Sequence, residues 1–255
     1  MKKFVLMIFF LVSCSSINHE PIRSNNEKIY TYSDASGNYL YIREQKVINK
    51  RIVTRTQISI NKGGSIKPLE KSVMISQMGT IKDKKQRILV VRPFASEFTV
   101  WLEGKSYDSK MRLDQKTQSM IIDLNSPEAK WNGKSTIHFP KGKQFCFFSQ
   151  IPDCLYHNLF LAGAMANKSK AFSFYIVWDG YPFIQDQLND IGSKLFTPAI
   201  LKYESEEKSI LKFEVEVNGQ TILYHFSKAF DLVRMLWITQ GISILPLGEE
   251  LNAEE

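Results

Sequence analysis

From Lys28 onward the chain alternates between apolar and polar residues, and clusters of turn-forming residues separate the alternating runs. In 51–60, for example, Ile52, Ile58 and Ile60 fall on one face of an extended strand, and Arg55 falls on the other. Asn218-Gly219 between two such runs is typical of a tight hairpin. The predicted strands are 29–32, 39–48, 51–60, 73–78, 87–91, 97–102, 106–113, 119–124, 135–139, 171–178, 195–204 (interrupted by Pro198), 210–217, 221–227, 232–239 and 242–245.

One segment, 152–167, follows the period of an α-helix, with Leu155, Leu159 and Ala162 at helical spacing. Asp153 is a candidate cap for its first turn. The small residues near its end would permit close approach of another backbone. A second, weaker helix is predicted at 184–191.

These elements predict a mainly β fold with one large curved antiparallel sheet, an open or half barrel, and one helix packed on it. A sandwich of two sheets is the alternative. We expect a single β-rich domain over 28–246, because no linker rich in Pro, Gly or Ser divides it. Residues 247–255 end in several glutamates and are expected to form an acidic disordered tail.

The first residues have the features of an export signal. Two lysines precede nine uninterrupted apolar residues from Phe4 to Val12, a run too short to span a bilayer as a helix. The string Leu11-Val12-Ser13-Cys14 that follows resembles the lipobox of bacterial lipoproteins. The resemblance implies cleavage between Ser13 and Cys14, a diacylglycerol on the Cys14 thiol, and a palmitate-type acyl chain on the new amine.

The expected organisation is therefore a signal peptide at 1–13, a lipidated flexible tether at 14–27, and the folded domain. Acyl chains on Cys14 would anchor the protein to the membrane. Ser15, which is not Asp, implies the outer membrane in a two-membrane bacterium, or the outer face of the cell membrane in a one-membrane bacterium. The domain also resembles, in architecture, the half-barrel proteins of the bacterial lipoprotein-localisation system. That resemblance covers no motif beyond the lipobox and transfers no site residues.

Composition and charge narrow the picture further. The 255 residues are 44% hydrophobic, enough for a large core, and the formal charge is +7. Loss of Lys2 and Lys3 with the signal peptide would lower the charge to +5. Thirteen basic and three acidic residues lie in 41–92, which we interpret either as solvated strand faces or as a surface for anionic lipid or an envelope polymer. Nucleic acid is not an expected partner outside the cytoplasm.

Two cysteines remain beside Cys14. Cys146 and Cys154 flank a short loop before the predicted helix, and an extracytoplasmic compartment permits a disulfide between them. Two packed thiols are the alternative. Neither a third cysteine nor a histidine pair accompanies them, so we expect no metal site and no cofactor.

The sequence contains no G-x-S-x-G, H-E-x-x-H, P-loop or G-x-G-x-x-G motif, and we assign no catalytic residue. An aromatic stripe and the turn after it are interpreted as core or as the rim of a pocket. Its members are Phe172, Phe174, Trp178, Asp179 and Tyr181.

The leading hypothesis is a non-enzymatic envelope lipoprotein that binds a lipid, another apolar ligand or an envelope protein. An envelope hydrolase and a surface-exposed attachment protein are the alternatives.

Overall fold

A computed structural model of the chain describes residues 27–62, 65–83, 86–166, 171–184 and 194–247. The first eight strands are β1 (Lys28–Ser33), β2 (Tyr39–Ile48), β3 (Arg51–Lys62), β4 (Ser65–Asp83), β5 (Gln86–Leu102), β6 (Lys105–Asp114), β7 (Ser119–Asn125) and β8 (Gly133–His138). The following elements are β9 (Phe145–Phe147), α1 (Ile151–His157), α2 (Phe160–Ala166), β10 (Phe172–Val177), β11 (Phe196–Glu207), β12 (Ile210–Val217), β13 (Gln220–Ser227), β14 (Leu232–Trp237) and β15 (Ile242–Pro246). Short 3₁₀ turns lie at Ala129–Trp131, Phe148–Gln150 and Ile238–Gln240.

All fifteen described strands belong to one open sheet. Its order runs from β8 down to β1, continues with β15, and then runs down to β9, so that β8 and β9 are the two edges. The pairs are antiparallel except for β9 and β10, which are parallel. The prediction of one large open antiparallel sheet is therefore confirmed, and the two-sheet sandwich is excluded.

Side chains near both edges meet, because the sheet is strongly curved. Met111 and Met120 from one end share an apolar cluster with Phe145, Phe147 and Val177 from the other end. A larger cluster lies between α1, α2 and the strands β10–β14. The helical segment thus packs on the concave side of the sheet.

Two proline-containing strands are longer than the pattern predicted. The runs 87–91 and 97–102 form one strand, β5, and 73–78 is the middle of β4. Pro68 and Pro93 each sit beside a register shift, where one residue of the strand has no opposite partner. Such bulges accept a residue that lacks a backbone N–H, so the prolines bend the strands without ending them. Pro198 likewise lies inside β11, opposite Tyr175.

The predicted helix 152–167 is two short helices. Leu159 has a φ of +63°, which breaks the helical path between α1 and α2. Asp153 does not cap α1: it lies within the first turn, buried against Arg43 of β2. Gly163 is exposed, and a Cβ there would meet nothing within 4 Å, so it is not a point of close backbone approach. Except for Ile184, the weaker helix predicted at 184–191 lies outside the described residues.

Candidate functional site: a cavity under the helical segment

A cavity of about 500 Å³ lies between the concave face of the sheet and the segment Phe148–Asp153. This volume is within the range of about 300–1,000 Å³ typical of small-molecule sites. Most of its wall is apolar. The apolar lining residues include Ile58, Leu69, Phe98, Phe148, Ile184, Leu232, Met235, Trp237, Ile242 and Ile244.

Strand β2 shows the depth of the cavity, because every second residue faces it. Tyr39, Tyr41 and Arg43 line it in succession. Tyr39 is exposed, whereas the Arg43 side chain is only 12% exposed. A step of two strand residues is about 6.7 Å, which places the Arg43 backbone roughly 13 Å along the strand from that of Tyr39. We call the end at Tyr39 the mouth and the end at Arg43 the floor.

The floor is built from an ion pair between the sheet and α1. Arg43 Nη1 lies 3.5 Å from Asp153 Oδ1, and the Asp153 side chain is 6% exposed. The guanidinium also stacks 4.2 Å from the centre of the Tyr30 ring. Gln45 extends the contact by bonding to His157 Nε2 at 2.9 Å. These polar contacts fix α1 to β2 beside the apolar wall.

Gln150 makes the second link between the helical segment and the floor. Its side-chain amide donates to Thr56 Oγ1 at 2.6 Å and to Ser72 Oγ at 3.1 Å. Both of its N–H groups are thus used against hydroxyls of β3 and β4. Its carbonyl oxygen Oε1 is buried and has no partner among the described residues.

Three further buried atoms, on side chains that line the cavity, lack a partner in the described part of the chain. They are the Tyr32 hydroxyl, Asp153 Oδ2 and Arg43 Nε. Tyr32 is 4% exposed, and burial raises its pKa to about 12, with Arg43 and Asp153 near enough to affect it. An unmet hydrogen bond in a buried site costs free energy, and in folded proteins a ligand or water usually meets it.

Acidic groups support or line the same cavity. Asp179 is fully buried behind the wall and accepts hydrogen bonds from Ser149 and from Ser96 Oγ, the latter at 2.7 Å. Burial raises its pKa, although these hydrogen bonds oppose the shift. Glu70 lines the cavity itself, and burial, followed by the charge of Asp179, raises its pKa to about 7.

The five residues predicted as core or pocket rim lie behind this cavity or beside it. Phe174 and Trp178 are buried in the larger apolar cluster, and Phe172 and Tyr181 pack against it. Asp179 contacts Ser149, which lines the cavity, but none of the five is itself a lining residue.

Cys146 and Cys154 are joined by a disulfide with Cα atoms 5.6 Å apart. It links β9 to α1 and so holds the helix beside the strand edge. Ser13 and Cys14 lie outside the described residues.

Arg43, Glu70, Gln150 and Asp153 were not recognised from the sequence. One sign was available for Arg43, because it has the same strand parity as Tyr39 and Tyr41 and therefore faces the interior. The basic segment 41–92 is thus not uniformly a surface. Gln150 and Asp153 gave no such sign, since their roles depend on where the helix meets the sheet.

In comparisons with known proteins, no protein-family model, curated protein or solved structure matches the chain. Within the described residues, no helix has the length and apolar character needed to cross a membrane. The same residues contain no group of three or more His, Cys, Asp or Glu side chains that could hold a metal ion.

Proposed function

We propose that this protein is a lipid-anchored lipoprotein of the bacterial envelope whose β domain binds an apolar or amphipathic small molecule. The cavity of about 500 Å³ on the concave side of the sheet carries the proposal. Its walls are mostly aliphatic and aromatic, and Arg43, Gln150 and Asp153 are gathered at its floor. This is the usual composition of a site for a largely apolar ligand.

Native mass spectrometry tests ligand binding. A chain of 15–255, exported through an ordinary signal peptide, avoids lipidation and keeps every described residue. We expect it to carry a small amphiphile after purification. Ile58→Trp should fill the cavity and abolish this extra mass, whereas Gln57→Trp, on the opposite face of β3, should not. Equal ligand occupancy in both variants, or none in the parent, would contradict the proposal.

The lipobox supports the membrane anchor. The full chain should incorporate an alkyne-labelled palmitate analogue in cells and fractionate with membranes. Cys14→Ser should remove the label because no thiol remains for alkylation. Label that persists in the Cys14→Ser variant would show that the acyl chain is attached elsewhere, and would contradict lipidation at this motif.

We also propose that the convex face of β2–β4 meets anionic lipid. Lys46, Arg51, Arg55 and Lys71 alternate with the cavity-lining residues and so lie on the outer side. Lys46, Arg51 and Lys71 are exposed. The chain of 15–255 should float with vesicles of phosphatidylglycerol more than with vesicles of phosphatidylcholine. Replacing Arg51 and Lys71 with Glu should remove that difference, and an unchanged difference would contradict this surface.

A further inference from the structure

The cavity is most polar at its floor, so its polarity does not suit an acyl chain that enters tail first. The deepest part holds Arg43, Asp153 and Gln150, with Thr56 and Ser72 beside them. The wall above this floor is mostly apolar, with Glu70 at the level of Tyr41. A chain entering tail first would place its least polar end against the most polar surface of the cavity.

The mouth shows the complementary arrangement. Its acidic residue, Asp34, already accepts hydrogen bonds from Tyr39 N at 2.7 Å and Ser36 N at 3.2 Å. An exposed apolar side chain stands beside it: Ile238 is 78% exposed in the turn that leads to the lining residue Gly241. Asp34 is therefore satisfied, and an emerging apolar chain would find Ile238 nearby.

The unpartnered floor atoms define the chemistry of the bound group. Gln150 Oε1 and Asp153 Oδ2 can only accept hydrogen bonds, whereas the Tyr32 hydroxyl and Arg43 Nε can donate them. A complementary group must offer both donors and an acceptor. Glycerol hydroxyls and carboxamides meet this requirement.

The paired charges at the floor favour an uncharged group there. Asp34, Glu70 and Asp153 are the acidic lining residues, and Arg43 is the basic lining residue within the described chain. Because Arg43 is already paired with Asp153, an anion at the floor would displace that pairing and face the other carboxyl groups. A cation would meet the Arg43 guanidinium instead.

From these observations we propose that the cavity binds a neutral amphiphile head first. An uncharged hydroxyl or amide head group lies against Tyr32, Gln150 and the Arg43–Asp153 pair, and the apolar tail runs toward the mouth. This inference rests on the proposed ligand-binding function, and adds to it the class of ligand and its orientation.

Isothermal titration of the 15–255 chain at pH 8 tests the head-group class. The probes are 1-decanoylglycerol, decanoate and decylammonium, which share a ten-carbon chain, each below its critical aggregation concentration. We expect the glycerol ester to bind at least tenfold more tightly than either ion. If an ion binds as tightly as the ester, the neutral class is wrong. If no probe binds, the proposed function itself fails.

A pair of tyrosine variants tests the orientation. Tyr32→Phe removes a hydroxyl without a partner at the floor and should weaken 1-decanoylglycerol about three- to tenfold, with an unchanged melting temperature. Tyr39→Phe makes the same change at the mouth and should alter binding less than twofold. The reverse result, a loss in Tyr39→Phe and none in Tyr32→Phe, would show that the tail enters first.

Asp153→Asn gives an independent measure of where the head lies. It preserves the shape of the side chain but leaves Arg43 without its carboxylate partner. A head-first decanoate would then meet an uncompensated guanidinium and should bind at least tenfold more tightly than to the parent. A decanoate held tail first would have its carboxylate at the mouth and would gain little, so an unchanged affinity would overturn the head-first orientation.

Discussion

At the scale of single residues, the inner side of the sheet holds carboxyl groups that are expensive to ionise. Burial raises the pKa of both Glu70 and Asp179. A folded state that raises the pKa of an acid keeps a proton that the unfolded chain has already released. Its contribution to stability is therefore complete at pH values below the unfolded pKa and is lost as the pH rises through the folded pKa.

For Glu70 this window runs from about 4.5 to about 7. Glu70→Gln, which cannot ionise, should match the parent near pH 4 and exceed its free energy of unfolding at pH 8 by about 1–2 kcal/mol, a figure reduced for solvent in the cavity. Urea denaturation at the two pH values measures the difference. Glu97→Gln, on the exposed outer face, is the control, and parallel profiles for all three proteins would exclude the effect.

Gly180 lies where the surrounding side chains leave no room for a Cβ. A Cβ at this position would lie 2.8 Å from Ile184 Cδ1 and Cγ1 and from the Phe98 ring. Gly180→Ala should therefore lower the free energy of unfolding by about 1–3 kcal/mol through overpacking.

Gly163 provides the matched control, since a Cβ there meets nothing and it lies in α2. Gly163→Ala should raise stability by about 0.5–1 kcal/mol, because alanine favours the helix. Thermal unfolding of both variants measures these two changes in stability. Equal effects at the two positions would show that the space around Gly180 can adjust.

Contacts between individual side chains are the hardest feature of this fold to predict from the sequence. The parity of β2 could place Arg43 inside, but its partner Asp153 is more than a hundred positions away on a helix. An Asp in the first turn of a helix is usually a cap or a favourable charge near the N-terminus. Only the docking of α1 on β2 shows that Asp153 instead neutralises a buried cation.

At the scale of elements, the segment from β9 to α2 is attached to its surroundings in two different ways. Toward β10–β13 its contacts are apolar, through Leu155, Phe160 and Leu161. Toward β2–β4 they are polar, through Gln150 and Asp153. The disulfide Cys146–Cys154 lies within this segment and joins its first strand, β9, to α1.

Replacing both Cys146 and Cys154 with Ala should lower the free energy of unfolding by roughly 2–3 kcal/mol, the value expected for closing so short a loop. Guanidinium denaturation measures the loss, and reductant should lower the stability of the parent but not that of the variant. Mass spectrometry of the unreduced parent should detect no free thiol. Two alkylatable thiols, or no response to reductant, would contradict a stabilising bond.

The strand pattern predicted the type of nearly every element but not all of the ends. Period-2 alternation identified β2, β3, β12 and β13 closely, because each is a regular strand between clear turns. The prolines of β4 and β5 concealed two long strands, since a bulge can accept a proline that a regular ladder cannot. The break at Leu159 gave no local sign, because leucine does not favour the left-handed conformation and the packing around it must hold it there.

At the scale of the whole molecule, the sheet contains one weak seam. β1 and β15 pair at two positions, Tyr32 with Pro246 and Ser33 with Leu245, and the amide of Leu247 adds one hydrogen bond to Thr31 O. By comparison, β2 pairs with β3 along its full length. Tyr32, Ile242 and Ile244 at this seam also line the cavity. A bound ligand would therefore contact both halves of the sheet at the place where they are least joined.

Hydrogen exchange should reveal this seam. Amides of β1 and β15 are expected to exchange faster than those of β12 and β13, whose pairing is continuous over eight residues. Adding 1-decanoylglycerol should slow exchange at the seam and leave β12 and β13 unchanged. Uniform protection in the free protein, or protection spread evenly by the ligand, would contradict a locally weak junction.

The seam also sets the order in which the molecule can be assembled. Every other antiparallel pair joins strands that are consecutive in the numbering, so each half can form from neighbouring stretches of chain. Among the described strands, the β1–β15 pair alone joins segments more than two hundred positions apart. Contacts between such distant segments form late and slow folding, because a long loop must close first. The cavity, whose wall includes both strands, would thus be completed in the last step of folding.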